Sequence, residues 1–329
     1  MPLLNELIQK AVQNKPAPFE PTLSKEEYVE LKKDEKARAW EAINSEAEAV
    51  LSSGVELYRY LQAQARMLRI SANNILFLKK QRSDVSMIKT LSQWNEIGRS
   101  VRAGEKQLLV MVAEPYKRED GKENLNFPLK GFFDISQTSG RPVASQRSLA
   151  FDQSNMLAAM INTAQVNGFE VIADNEIPIE IGGAYQDGAI HVRDDIELDK
   201  TIFGLALGSI AAERDRKGYR KSSSVEICSA FAFCEAAGIP IRYDESIEVL
   251  LESVVMDAQS MEDIKSKRNL LEYSQKSAKS LYEEVDRAAY QLCSAERQQE
   301  APSQEQAVVE NTQPAEKEKR SIKHDEPER

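Results

Sequence analysis

The sequence predicts an α+β chain of two modest domains followed by helices, and three observations lead there. Its 329 residues suffice for two cores at the usual ~100–200 residues per domain. Capped helical periods alternate with short β-type runs rather than with regular βαβ units. A polar stretch, SGRPVASQR at 139–147, separates the halves and reads as a linker.

Residues 1–22 join a short amphipathic segment, MPLLNELIQKAV, to NKPAPFEP, a proline-rich connector that cannot continue a helix. Lacking a basic start and a small-residue cleavage site, the segment is not expected to be a signal peptide. Ser24 with Glu27 three residues on is a capping box. It predicts a helix over 25–51, with Tyr28, Leu31, Ala39, Ile43 and Ala47 available for the apolar stripe. Gly54 breaks that helix, a second covers 55–68, and Ser71 caps a third through about Lys80. A short helix at 91–97 is closed by Gly98. A basic strand and the Gly104-Glu105-Lys106 turn then lead into a strand at 107–113. After a polar turn around Glu119-Asp120-Gly121, a return strand at 129–135 pairs with it, completing a first domain over 23–138.

The second domain, 148–244, is expected to hold a helix at 153–167 and a strand at 170–172. A hairpin of 177–181 with 189–192 across Gly182–Gly188 and helices at about 198–214 and 222–237 follow, the last stopped by Gly238 with Pro240 behind it. Helices at 245–259 and 261–296 form a C-terminal pair. From Arg297 to Arg329 the chain is rich in Gln, Glu, Pro and Lys with almost no large apolar residue, so a disordered tail is expected.

Composition narrows the function. No apolar run approaches the ~18 residues of a membrane span, so no membrane partner is expected. Three cysteines, Cys228, Cys234 and Cys293, form no disulfide framework and suit a reduced, cytoplasmic protein. The formal charge is −10, yet residues 58–106 hold ten Lys/Arg against three acids, a local excess of +7 that leaves −17 for the remainder. An acidic protein with one basic domain is compatible with nucleic-acid binding.

Three segments carry a family resemblance: Ser71-Ala72-Asn73-Asn74-Ile75-Leu76, then TLSQWNEIGRSVRAGEK at 90–106, then FFDISQT at 132–138. In this order they resemble the N-terminal single-stranded-DNA-binding domain of ArdC-type antirestriction proteins, which conjugative plasmids and transposons carry. The resemblance covers about 58–140 well and runs on weakly to about Pro240. It places Asn73, Asn74, Trp94, Gly98, Val101, Gly104, Glu105 and Lys106 on the family's motif. It also implies a zincin-like, zinc-peptidase-type second domain.

Single-strand binding needs a positive groove for phosphates and aromatic faces for bases, each stack contributing ~1–3 kcal/mol. Trp94 lies between Lys89 and Arg99/Arg102, Asn73 and Asn74 offer hydrogen bonds at a helix start, and Lys106 closes the basic run. Asn73, Asn74, Lys89, Trp94, Arg99, Arg102 and Lys106 are therefore the candidate DNA-binding set. The alternatives are a packed Trp94, Gly98 as a helix C-cap and Glu105 as a structural partner of an arginine.

In the second domain the resemblance calls for His-Glu-x-x-His, whose i, i+4 imidazoles meet one metal. The equivalent stretch, 202–213, has no histidine; the chain's two are His191 and His324. Glu226 falls near the expected acidic ligand, but His191, Glu213 and Glu226 make a poor donor set. His191 reads as a strand residue satisfied by a backbone hydrogen bond. Cys228 and Cys234 read as core, and Gly182-Gly183 lacks the rest of a phosphate loop. No metal, cofactor or catalytic residue is expected. The sequence thus suggests a non-enzymatic, antirestriction-like protein of a plasmid or integrative conjugative element that binds single-stranded DNA. The alternative is a pseudo-peptidase scaffold without DNA binding, its terminal helices docking a protein partner.

Overall fold

The computed structural model describes residues 24–118, 120–143, 153–239 and 241–310, the side chains of Lys25 and of 293–310 excepted. Two units divide the chain: Met1–Ala63, Ile70–Val143 and Asp257–Glu272 form the first, and Gln64–Arg69, Ala144–Met256 and Tyr273–Arg329 the second. The expected extension at 1–22, linker residues 144–147 and residues 311–329 of the tail lie outside the described residues.

The first unit opens on helix α1 (Lys25–Val50). Its capping box is reciprocal: Glu27 N donates to Ser24 Oγ at 3.2 Å, and Ser24 N to Glu27 Oε2 at 2.7 Å. Ala39, Ile43 and Ala47 are buried, but Tyr28 and Leu31 are exposed, so the stripe packs only beyond the first turns. Helices α2 (Gly54–Arg66) and α3 (Ala72–Gln81) follow, the latter capped by Ser71. The sheet orders β1 (Ile88–Lys89), β6 (Leu129–Asp134) and β3 (Leu108–Met111), all antiparallel. The free edge of β3 would present unpaired backbone groups, and α3 closes it with side-chain amides. Asn74 Nδ2 donates to Met111 O at 2.8 Å and Met111 N to Asn74 Oδ1 at 2.9 Å. One strand step away, Gln81 Nε2 donates to Leu109 O at 2.9 Å and Leu109 N to Gln81 Oε1 at 2.7 Å.

Between β1 and β3 lie the short helix α4 (Leu91–Glu96), on a second capping box of Thr90 with Gln93, and β2 (Arg99–Val101). Gly98 takes a left-handed φ of 76° after α4, the conformation glycine adopts without strain. Strand β2 pairs with β7 (Thr138–Gly140), so Ser139 and Gly140, the expected start of the linker, are strand residues. The sequence reading also joined too much into one hairpin. β3 stops at Met111, and the polar turn is instead a separate two-stranded ribbon, β4 (Glu114–Lys117) with β5 (Glu123–Asn126).

In the second unit, α5 (Gln153–Val166) precedes a sheet in which β10 (Ala189–Val192) lies between parallel β8 (Glu170–Ala173) and antiparallel β9 (Gly183–Gln186). The hairpin therefore starts at Gly183, not at Ile177. Its turn is Asp187-Gly188, both with positive φ (52° and 84°), the two-residue geometry that suits strand twist. Helices α6 (Leu198–Arg216), α7 (Ser223–Ala237) and α8 (Glu245–Gln259) match expectation, with Gly238 left-handed at φ 84° as the C-cap of α7. Helix α9 (Ile264–Glu310) starts in the first unit and continues through the second. Its backbone is helical through Glu310, past Arg297, where composition predicts that order ends. The architecture is α+β, as the sequence predicts.

Candidate nucleic-acid interface

The motif segments of the first unit meet around Asp134. Its buried carboxylate accepts from Ser86 N (2.8 Å), Met87 N (2.9 Å), Ser136 N (2.9 Å) and Ser136 Oγ (2.6 Å). Burial alone would raise its pKa, but the bonds from Ser136, Ser86 and Met87 outweigh it and hold the carboxyl below the usual carboxylate range. Asp134 N donates to Gln137 Oε1 at 2.8 Å, making a capping box for the single 3₁₀ turn at Ile135–Gln137. Gln137 then reaches the Gly-Glu-Lys turn: its Nε2 donates to Lys106 O at 2.7 Å and to Glu105 Oε2 at 3.1 Å. Arg102 N returns a bond to Gln137 O at 3.0 Å. Thus Phe133–Thr138 and Arg102–Lys106 are one hydrogen-bonded lattice.

The candidate residues take different places in it. Trp94 is 0 % exposed, and its Nε1 donates to Phe133 O at 2.8 Å. A ring without accessible faces cannot stack on a base, so the stacking role proposed for Trp94 is corrected to core packing. Arg99 lies with its guanidinium 6.0 Å from the Trp94 ring centroid and binds β7: Nε donates to Thr138 Oγ1 (2.7 Å), Nη2 to Thr138 O (3.0 Å) and Nη1 to Arg141 O (2.5 Å). Its donors serve the protein's own backbone. Asn74 is the β3 edge clamp, and Asn73 Oδ1 accepts from Arg268 Nη1 at 3.4 Å. Lys89 is half-buried on β1, in register with Phe133.

Two candidates remain at the surface. Arg102 is exposed, with Nη2 on Ser136 O (2.5 Å) and Glu105 Oε1 (2.7 Å). The Arg102 and Gln137 hydrogen bonds lower the Glu105 pKa, which keeps it a structural anion. Lys106 is exposed and makes no ion pair among the described residues. Gly104, at φ 81°, has open space beside it. The sequence reading missed Gln81, Asp134 and Gln137. Only the FFDISQT string itself hinted at the last two, because their partners lie 28 to 48 residues away.

In the second unit the fit to a metal fails on the donors. Among the described residues no group of three or more His, Cys, Asp or Glu side chains could hold an ion. His191 Nδ1 stands 2.9 Å from Asp174 Oδ2, so its partner is a carboxylate rather than the expected backbone group. Glu226 is buried, its Oε1 3.9 Å from Arg214 Nε, and burial raises its pKa. Helix α6 presses Gly204 and Gly208, one turn apart, against the sheet. A Cβ on Gly204 would overlap the backbone of Gly182 and Gly183, and one on Gly208 would sit 2.6 Å from Ile190 Cγ2. At Gly204 the helix thus leaves no room for a side chain toward the sheet. Cys228 and Cys234 are fully buried, and burial pushes the Cys228 thiol up to about 12, far from a nucleophile's range.

Comparison with known proteins bears on the first unit. Residues 31–153 match the family model of the N-terminal domain of anti-restriction factor ArdC. Two solved structures of the antirestriction protein ArdC from the R388 plasmid are similar to this chain. The metal-free form is 19 % identical, covering 68 % of this chain and 85 % of that one, with a TM-score of 0.44. The Mn(II)-bound form is 17 % identical, covering 67 % and 84 %, also with a TM-score of 0.44. No curated protein matches the sequence. The lattice that joins TLSQWNEIGRSVRAGEK to FFDISQT therefore lies within the stretch, residues 31–153, that matches the ArdC N-terminal domain model.

Proposed function

We propose that the chain is a non-enzymatic accessory protein of a plasmid or integrative conjugative element that binds single-stranded DNA and protects it from restriction. The match of residues 31–153 to the ArdC N-terminal domain carries this reading. The +7 excess over 58–106 in a chain of net charge −10 supports it, because phosphate contacts dominate such binding. Lys106 and Arg102, exposed beside the open Gly104 turn, are the phosphate contacts at this edge. The second unit serves as a scaffold: its α6 lacks histidine and packs Gly204 against the backbone of Gly182 and Gly183.

The test is a fluorescence-anisotropy titration of the full chain with a labelled ~30-nucleotide strand at several salt concentrations, since single-strand binding weakens by ~0.7 log units per neutralised phosphate for each log unit of salt. Lys106→Ala should flatten the slope by about 0.7 and leave the melting temperature unchanged, an exposed charge contributing little to stability. Wild-type protein that shows no salt-dependent binding at micromolar concentration would replace this reading with the protein-scaffold one.

A further inference from the structure

The ribbon β4–β5 does not contribute to the core of its unit. Every residue of β5 is exposed, no third strand pairs with the ribbon among the described residues, and Tyr116 (46 %) and Leu125 (52 %) present large side chains to solvent. A lone two-stranded ribbon is marginal in water, and this one is rooted in the sheet at both ends. Val112 N donates to Pro128 O at 3.1 Å, just where β3 and β6 end. Charge counting along the sequence passes over it, because residues 114–130 contain four acids and four bases.

Register sorts those charges. Side chains alternate between faces, and cross-strand partners share one. Glu114 is opposite Asn126, Tyr116 opposite Asn124, and the Arg118–Lys122 backbone pair closes the turn at 2.9 Å. One face therefore carries Tyr116, Arg118, Lys122, Asn124 and Asn126. Among the described strand residues its one carboxylate, Glu114, is ion-paired to Lys130, and in the turn Asp120 Oδ1 accepts from Lys122 N at 3.1 Å. The other face carries Pro115 with Leu125 and Lys117 with Glu123. On the first face Asn124 Nδ2 donates to the Tyr116 hydroxyl at 3.2 Å, which fixes the ring, and Asn126 Oδ1 accepts from Phe127 N, which turns its amide donors outward. Glu119 lies outside the described residues.

We infer that this face of the ribbon is the base-contacting part of the single-strand surface: Tyr116 stacks a base while Arg118 and Lys122 hold the flanking phosphates. The inference rests on the DNA-binding reading and deepens it. It supplies the aromatic face that burial denies to Trp94. The chemistry fits a nucleic-acid strand better than a protein, since one aromatic ring stands among two cations and two amides while the apolar pair lies on the opposite face. It fits a single strand better than a duplex, whose bases offer no free π-face to a lone ring.

The experiment uses the full chain, a fluorescein-labelled dT30 strand and a 30-base-pair duplex, with anisotropy read across a salt series. Tyr116→Ala should weaken single-strand binding by about 10-fold, and Arg118→Ala with Lys122→Ala should flatten the salt slope by about 1.4. Lys117→Ala, the loss of one charge from the opposite face, should leave the slope as it is. All should melt like wild type, because the positions are exposed. If wild type binds and both front-face variants bind equally well, the ribbon assignment is overturned and the DNA reading stands. Equal affinity for the duplex overturns the single-strand stacking role. Absence of wild-type binding removes the DNA reading and the ribbon with it.

Discussion

The two units hold their diagnostic segments together by opposite means. In the first, a run of polar residues from Thr90 to Thr138 is turned inward, and its amides, guanidinium and carboxylate saturate one another and the backbone. In the second, the corresponding test segment, α6, is apolar through its middle at 202–208, and what fixes it is the absence of side chains at Gly204 and Gly208. Polar satisfaction is directional and tolerates few replacements; close backbone approach is a matter of volume alone. A motif residue of the first unit is therefore informative about fold before it is informative about ligand.

Three substitutions probe that contrast, in order of expected effect. Trp94→Ala should lower folding stability by about 3–5 kcal/mol in a denaturant melt, while molecules that remain folded keep their single-strand affinity. A variant that melts normally but loses affinity would put the ring back at the interface. Asp134→Ala removes the acceptor of three backbone N–H groups and the Ser136 hydroxyl, and should cost about 3 kcal/mol, since each buried donor left unsatisfied costs ~1–3 kcal/mol. The same carboxylate gives a pH signature. Its folded pKa lies below the 3.8 of a free aspartate, so its stabilisation is complete above that value and is lost as pH falls through the lower folded one. Melting of wild type between pH 5 and 2, compared with Asp134→Ala, isolates this: only wild type should lose that increment, and parallel curves would remove Asp134 from the lattice's account.

Gly204→Ala has the smallest expected effect and the sharpest sign. In an open helix the change gains about 1 kcal/mol of propensity. Here the new Cβ meets backbone, and overpacking of that kind costs about 1–3 kcal/mol. A chemical-denaturation midpoint below wild type supports the close approach; one above it means α6 stands farther from β9.

Local signals were legible in the sequence and long-range ones were not. Ser24 with Glu27, Ser71, Gly98 and Gly238 announce helix ends because cap and partner lie within one turn. Asp187-Gly188 is an equally local signal, which the neighbouring Gly182-Gly183 masks by suggesting a longer loop. Trp94 could not be assigned by pattern: a six-residue helix is too short to reveal its buried face, and the indole's partner, Phe133 O, is 39 residues away. Arg99 reads as a phosphate contact until the fold brings β7 beside it. The ribbon was misread as a turn because its strands are short and polar, and the sorting of its charges exists only in the register.

The meeting of Gly204 with Gly182 and Gly183 has one more consequence. A helix drawn this close to a strand leaves the contact intolerant of added atoms, because what opposes it is backbone. A side chain at Gly204 would require β9 to withdraw first, and β9 is held across its whole length by β10. Substitution at that contact would therefore strain the sheet, whereas the exposed positions of the second unit can change without touching it.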